Sequence, residues 1–565
     1  MIKLIEKYPI LSLLLFVTLM LGFTVDAIPV SIMEARNFIS AREMLTDNNW
    51  ILTTMNGEAR YQKPPLPTWI TALFGSVFGI KSVLALRWPA LLFLASIGVS
   101  TYLLSLKLQL TKSHSIINGF IVITSFYVIG ITIEAPWDIY THGFMLMALY
   151  QLFLLFDKAK TPILHSLLFV LFLAGSVLSK GPVSLYVLFL PFIISYGIAF
   201  KLKGGTLHFL KLISLLVFGL VLGGWWYLHV RIADPETFTA IAERETSNWS
   251  SYNVRPFYYY WSFFIQSGLW TIPALISLLY PYLKTRVSNL KAYRFSLLWT
   301  MCAVILLSII PEKKSRYLMP VLIPLAINIG FYIDYLIREF KNTTSKKETF
   351  PVYFQFGLIA TIASLFWAIS FFSEAILTGY ILVRFIITAL VLLSIGVFIF
   401  KNLKQKQIKN VFYLVVGFMM SLGLVALPIS KVHTQPDYKP ASQIKLQNLQ
   451  VIGLGYDNYL PLYSLDYIAP EVIYNYGDKI PSITTSAGYV LPKEKTFCLL
   501  ATKVNPETIE ALSNLYTIEF LETYDLNTAF KDARAYKSRL VNQLYMLKIK
   551  KAKPLHTLGK NGGEL

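Results

Sequence analysis

The feature that most constrains this chain is a succession of long apolar segments separated by short polar loops. They lie at about 9–32, 83–106, 116–133, 139–156, 163–179, 182–200, 209–231, 259–283, 295–310, 317–337, 353–373, 380–400 and 411–430. Each approaches the roughly 17–25 residues that cross the hydrocarbon of a bilayer as a helix. Composition agrees: of 565 residues 55% are hydrophobic and only 15% charged, with a mean hydropathy of +0.55. A soluble globular chain is excluded, and an all-α polytopic membrane protein is expected. Lys3 and Lys7 ahead of the first segment resemble a signal sequence, but no small-residue cleavage site follows, so the segment is read as an uncleaved span.

A fourteenth stretch, Leu66 to Ile80, is ambiguous, and loop charge decides it. With 66–80 lying along the surface, Lys3 and Lys7, Lys107 and Lys112, Lys158 and Lys160, Lys201 and Lys203, the 284–294 loop, the 338–347 loop and the 401–409 loop all share one basic side, as cytoplasmic loops do. Thirteen spans follow. The net charge of +20 is thereby accounted for without nucleic acid. The opposite, exterior side then holds the 33–82 loop, Glu134 to Asp138, Ser179 to Pro182, the 232–258 segment and Pro311 to Tyr317. After Ser430 the pattern changes to short apolar runs broken by turns, which predicts a C-terminal soluble α/β domain over 431–565, also exterior, behind a membrane domain over 1–430. A helix is expected near Pro506 to Leu515.

The exterior loops carry both acids and bases. Glu34 and Asp138 stand at the mouths of spans, where partial burial suits a carboxylate to general-base work. Taken singly, Glu34 reads equally well as a capping residue or as an ion-pair partner of Arg36 or Arg42 on the same helix, and Asp138 as a helix N-cap. The cations Arg36, Arg60, Lys63, Lys180, Lys313, Lys314 and Arg316, with Tyr317 adjacent, have the chemistry of a phosphate site. Contact with anionic headgroups is the plainer alternative for any one of them. Glu243, Arg244 and Arg255 are weaker candidates, since their segment has no sharp motif. Trp137 and Tyr258 to Trp261 suit either a sugar or the interfacial belt. Carboxylates and phosphate-binding cations at a membrane face fit transfer of a group from a lipid phosphate, with the phosphate leaving and a carboxylate deprotonating the acceptor. Two cysteines and seven histidines form no metal-ligand spacing, and no GxGxxG or P-loop is present.

The run MEARNFISAREML…NWILTTMNGEARYQKPPLPTW resembles the first exterior loop of the GT-C membrane glycosyltransferases of the ArnT-like and protein O-mannosyltransferase group. Glu34, Arg36, Arg42, Glu43, Met44, Trp50, Lys63, Pro64, Pro65 and Trp69 match in order; Asp138, Ser-Lys-Gly-Pro at 179–182 and the run from Lys314 to Pro320 extend the likeness over roughly the first 340 residues. The best-known member moves aminoarabinose from undecaprenyl phosphate to lipid A. The resemblance implies a polyprenyl-phosphate sugar donor, inversion at the sugar, a lipid (lipid A-like) or protein acceptor, and chemistry on the periplasmic face of a bacterial inner membrane. It implies an exterior acid in the first loop and Lys and Arg residues on the donor phosphate. Glu34 is expected as the base ahead of Asp138. Two positions depart from the group: Met33 stands where its first-loop Asp falls, and Gln62 where an acid often precedes Lys-Pro-Pro. A divalent cation, used by some members, is left open. The rival reading is a transporter or flippase of polyprenyl-linked lipids, which predicts ionisable residues mid-span in discontinuous helices.

Overall fold

The computed structural model describes residues 2–134, 136–157, 161–201, 206–372, 379–444, 460–485, 488–502, 510 and 512–550. The chain divides into two compact units, Met1–His433 and Thr434–Leu565.

The first unit is helical. Among the described residues nine helices are long and apolar enough to cross a membrane, and Lys112–Thr124 with Phe126–Glu134, bent by 50° at Ser125, makes a tenth if the pair is one span. The expected thirteen therefore overstate the count. The other three segments are helical but short or interrupted. The 182–200 segment forms one helix, Leu185–Phe200, whose first turn is a π-turn, and at that length it falls short of the nine. The 259–283 stretch breaks into 3₁₀ turns and two short helices, with a kink at Gly268 and prolines at 273 and 281. Proline removes a backbone donor and clashes with the preceding turn, so an apolar run containing it need not be one continuous helix. The third, Lys346–Ser364, begins with Lys346, Lys347 and Glu348 and passes into a 3₁₀ turn at Phe366–Phe372. Leu66–Phe78, at thirteen residues, is too short to span, as expected.

The described basic segments near residues 6, 108–113, 200, 289–291, 343 and 406–409 gather at one end of this unit. Glu6 accepts from Ser113 and pairs with Lys409, both at 2.6 Å. Lys406 donates to the carbonyl of Thr343 at 2.8 Å, Asn289 to that of Leu108 at 3.1 Å, and Lys291 lies over the Phe200 ring. The polar loops meet at the other end. There the helix Ile32–Thr46 lies against Leu66–Phe78 through a buried polar lock: Thr68 donates to Asn37, and Asn37 to Thr71, at 2.7 and 2.9 Å. The 48–65 loop is tethered by Trp69 Nε1 to the carbonyl of Trp50 and by Trp226 Nε1 to that of Ile51, at 2.6 and 2.8 Å. Indole N–H groups bury apolar area while satisfying a loop carbonyl, which fixes an irregular segment without secondary structure.

The second unit holds a four-stranded sheet in the order Leu462–Ser464, Thr496–Ala501, Val541–Ile549, Tyr516–Asp525. The first pair is parallel and the others antiparallel. Phe497, Leu499, Ala501, Leu512, Tyr516 and Leu547 form its core. Glu471 to Asp478, which reads as a strand-like run, lies instead largely in the helix Pro470–Tyr476, closed by Gly477 in the left-handed region. Most of the expected helix from Pro506 to Leu515 lies outside the described residues.

Candidate active site

The helix Ile32–Thr46 begins with a capping box. The Ser31 hydroxyl accepts from the Glu34 backbone N–H, and the Ser31 N–H donates to Glu34 Oε2 at 3.0 Å. Arg87, in the first turns of Val83–Lys107, closes on the same carboxylate: Nε to Oε1 at 2.7 Å and Nη2 to Oε2 at 2.8 Å. Its Nη1 donates to the carbonyls of Val25 and Ile28, and Nη2 also to Pro29. Glu34 is 1% exposed and Arg87 2%. Both Glu34 oxygens are thus engaged in a buried, bidentate pair that ties three chain segments together. This is the geometry of a structural ion pair: the capping role is the one the sequence also allows, but the partner is Arg87 of another helix and not Arg36 or Arg42 of its own.

Asp138 lies in the first turn of Pro136–Phe156 and is 3% exposed. Lys180, the last residue of Pro162–Lys180, forms an ion pair with its Oδ1. His142, one turn further along, brings Nε2 to 3.9 Å from the same oxygen. Lys180 is placed by the residue that follows it. Gly181 has φ +74°, which ends the helix abruptly, and a Cβ there would meet the Tyr227 hydroxyl at 2.8 Å.

Around this pair stand cations from separate elements. Lys180, Arg316 and Lys314 lie 5.3, 5.8 and 5.9 Å from the Tyr317 ring centre, so the ring is a hub for three positive charges. Lys63, just before the Pro64-Pro65 turn, is in reach of Lys180, Glu245, Asp138 and Arg316. Burial first, then the charge of Lys180, pulls its ammonium down to about 8, while Glu245 and Asp138 oppose the shift. The 311–317 segment is held by Tyr260, whose hydroxyl donates to the carbonyl of Lys314 and accepts from its N–H, both at 3.0 Å. Lys314 Nζ pairs with Glu312.

The remaining candidates fall elsewhere. Lys313 is buried and spends its ammonium on the carbonyls of Arg255 and Ile310, so it braces two loops. The Arg255 side chain is exposed, and its backbone joins the same brace. Glu243 lines an open groove of about 540 Å³ with Arg231, Phe238 and Thr246, and Arg244 is exposed. Neither joins the cluster. Glu245 does, and helical periodicity signals it: Phe238 and Ile241 pack on Tyr61 and Trp226, and 245 continues that face. Arg36 and Arg60 form a separate basic pair beside Trp137, with the Arg60 guanidinium 5.0 Å from the indole ring centre. Glu43 accepts from Thr54, Asn56 N–H and Gly57 N–H, so it organises the 54–59 hairpin.

Among the described residues no three His, Cys, Asp or Glu side chains converge as a metal-ion set.

A comparison with solved structures gives the class of fold. The chain superposes on ArnT from Cupriavidus metallidurans in the apo state with a TM-score of 0.65 at 16% identity, covering 92% of this chain and 94% of ArnT. On the same protein bound to undecaprenyl phosphate the TM-score is 0.61 at 15% identity, with 96% and 97% covered. The chain therefore has the ArnT-like, GT-C fold. No family model matches the sequence. An uncharacterized protein of Aquifex aeolicus (strain VF5) is 26% identical over 319 residues, which is 55% of this chain and 59% of that relative.

Proposed function

We propose that this protein is a membrane glycosyltransferase that moves a sugar from a polyprenyl-phosphate donor to a lipid or protein hydroxyl. The supporting observation is the buried Asp138–Lys180 pair with Lys63, Arg316 and Tyr317 gathered round it in an ArnT-like fold. Undecaprenyl phosphate, the ligand of the similar structure, is the donor carrier this reading assigns.

In this reading Lys63, Lys180 and Arg316 hold the donor phosphate, with Lys314 flanking. Arg offers a planar fork and Lys a point charge, and both stabilise the negative charge that grows on a departing phosphate. Lys180 shares its donors between Asp138 and the phosphate, which loosens the ion pair as the donor binds. Asp138 then takes the proton of the acceptor hydroxyl as its oxygen attacks the anomeric carbon and the carbon–phosphate oxygen bond breaks. Attack opposite the leaving group inverts that carbon. Asp138 thus replaces Glu34 as the base, and Glu34 becomes a positioning residue that anchors the loop through Arg87. The rival transporter reading gains nothing from the break at Ser125, which carries no ionisable side chain.

The loop charges support a site on the side opposite the basic loops, hence the periplasmic face of a bacterial inner membrane, with 431–565 on that side as an exterior domain. The reading is tested by mass spectrometry of lipids and glycoproteins from cells lacking the protein. A sugar-bearing lipid or glycopeptide should disappear and return with the wild-type chain, not with Asp138→Asn. Unchanged glycoconjugates would overturn it.

A further inference from the structure

Arg36 and Arg60 are two neighbouring guanidinium groups, and among the described residues neither has a carboxylate at ion-pair distance. Arg60 Nη1 donates to the carbonyl of Arg36 at 3.1 Å and to the Ser40 hydroxyl at 3.2 Å. Arg36 Nη1 faces only the Met33 sulfur, at 3.9 Å, and its Nε is buried without a hydrogen-bond partner in the protein. Glu43, the nearest acid felt by Arg60, is committed to the 54–59 hairpin. Burial, then the charge of Arg36, draws Arg60 down to about 9, so Arg60 remains cationic at neutral pH.

Trp137 completes the arrangement. It is 1% exposed, lies under the Arg60 guanidinium, and its Nε1–H is buried with no acceptor in the protein. A buried polar hydrogen without an acceptor costs about 1–3 kcal/mol. The two guanidinium groups beside it are half-buried and carry no counter-charge at ion-pair distance among the described residues. All three groups are donors, and neighbouring donors without an acceptor are the complement of an oxyanion. Trp137 also precedes Asp138 in the chain, so the arrangement adjoins the reacting centre. Met33 is the residue that leaves Arg36 unneutralised: an aspartate there, one helical turn from Arg36, would pair with it.

We infer that Arg36, Arg60 and Trp137 form a second oxyanion site, distinct from the donor-phosphate cluster, that recognises a carboxylate or phosphate on the sugar or acceptor being processed. The assignment rests on the glycosyltransferase reading, because the ligand is placed beside Asp138. It gives the chain a preference for acidic substrates and gives Met33 a role, that of keeping Arg36 free.

The test uses the full chain in detergent, saturated with undecaprenyl phosphate, and follows glucuronate, glucose 6-phosphate and glucose by ligand-observed NMR. At least one anionic sugar should bind about tenfold or more tighter than glucose, a typical return for a charge-assisted contact. Whichever of the two binds identifies the oxyanion as carboxylate or phosphate. Arg36→Gln and Met33→Asp should both bring that sugar to the glucose level while leaving undecaprenyl phosphate affinity within about twofold. Met33→Asp adds a partner to Arg36, so it keeps the test valid if Arg36→Gln fails to fold. No preference for either anion over glucose, or a preference unchanged by Met33→Asp, would overturn the inference. Failure of undecaprenyl phosphate to bind the wild-type chain would instead overturn the donor reading, and the sugar titrations without it would still report on this site.

Discussion

Arg87 grips Glu34 with two parallel hydrogen bonds, 2.7 and 2.8 Å, in a site where both side chains are almost wholly buried. The pair fixes the start of the loop-bearing helix Ile32–Thr46 against Val83–Lys107 and spends its remaining donors on the Val25 to Pro29 backbone. A carboxylate so enclosed holds structure. In the proposed mechanism the reacting carboxylate is the other one, Asp138, paired with Lys180, which a phosphate can share, and with His142 one turn along its own helix.

Removing one partner of the first pair leaves a buried charge. Arg87→Met should cost about 3–5 kcal/mol, read as a clear fall in the unfolding temperature in detergent. Arg87→Met combined with Glu34→Met should recover most of that loss. A single substitution as stable as wild type would show that the pair is not buried as described.

Lys63 gives the site a pH dependence with a definite sign. Its ammonium titrates near 8 in the folded chain instead of the ordinary 10.5. Between those values the unfolded chain binds more protons, so the unliganded protein gains stability from this group as pH rises from about 8 to about 10.5. Binding an anion restores the proton. Affinity for undecaprenyl phosphate should therefore fall as pH rises through about 8, and Lys63→Arg should flatten that fall. An identical fall in Lys63→Arg would assign the titration to another group.

Gly181 has the positive φ that sets Lys180 at the end of its helix. Gly181→Ala adds backbone strain and a contact with the Tyr227 hydroxyl at 2.8 Å. A cost of about 1–3 kcal/mol is expected, together with weaker donor binding because Lys180 shifts. Stability and binding both equal to wild type would show that the turn is not needed.

Tyr260→Phe removes the side-chain oxygen that holds both backbone groups of Lys314. It should cost about 1–2 kcal/mol and weaken undecaprenyl phosphate binding severalfold by loosening the 312–317 segment. Weaker folding with unchanged binding would place Arg316 and Tyr317 outside the phosphate site.

Much of this was legible in the sequence because membrane constraints are strong. Apolar length and loop charge gave the helical class, and Lys63, Asp138, Lys180 and Arg316 stand out as polar residues at the ends of apolar runs. The span count was less legible: prolines at 273 and 281 interrupt a run whose composition alone would permit a crossing, and Leu185–Phe200 is shorter than its apolar run suggests. Arg87 carried a signal that went unread, a lone charge inside a 25-residue apolar helix. Without its position, Glu34 is expected as the base ahead of Asp138, and the pairing seen in three dimensions favours the reverse order. Glu245 was hidden beside Glu243 and Arg244 until the helix Pro235–Ser251 showed which of the three faces Lys63.

The central claim is that the cations around Asp138 hold a polyprenyl phosphate, and equilibrium binding of undecaprenyl phosphate to the purified full chain tests it most directly. Wild type should bind the phosphate and discriminate against undecaprenol, which has the same tail and no charge. Lys180→Met and Arg316→Met should each weaken phosphate binding about tenfold or more, with undecaprenol unaffected. Equal affinity of the wild type for undecaprenol and undecaprenyl phosphate, or undiminished phosphate binding in both variants, would contradict the account.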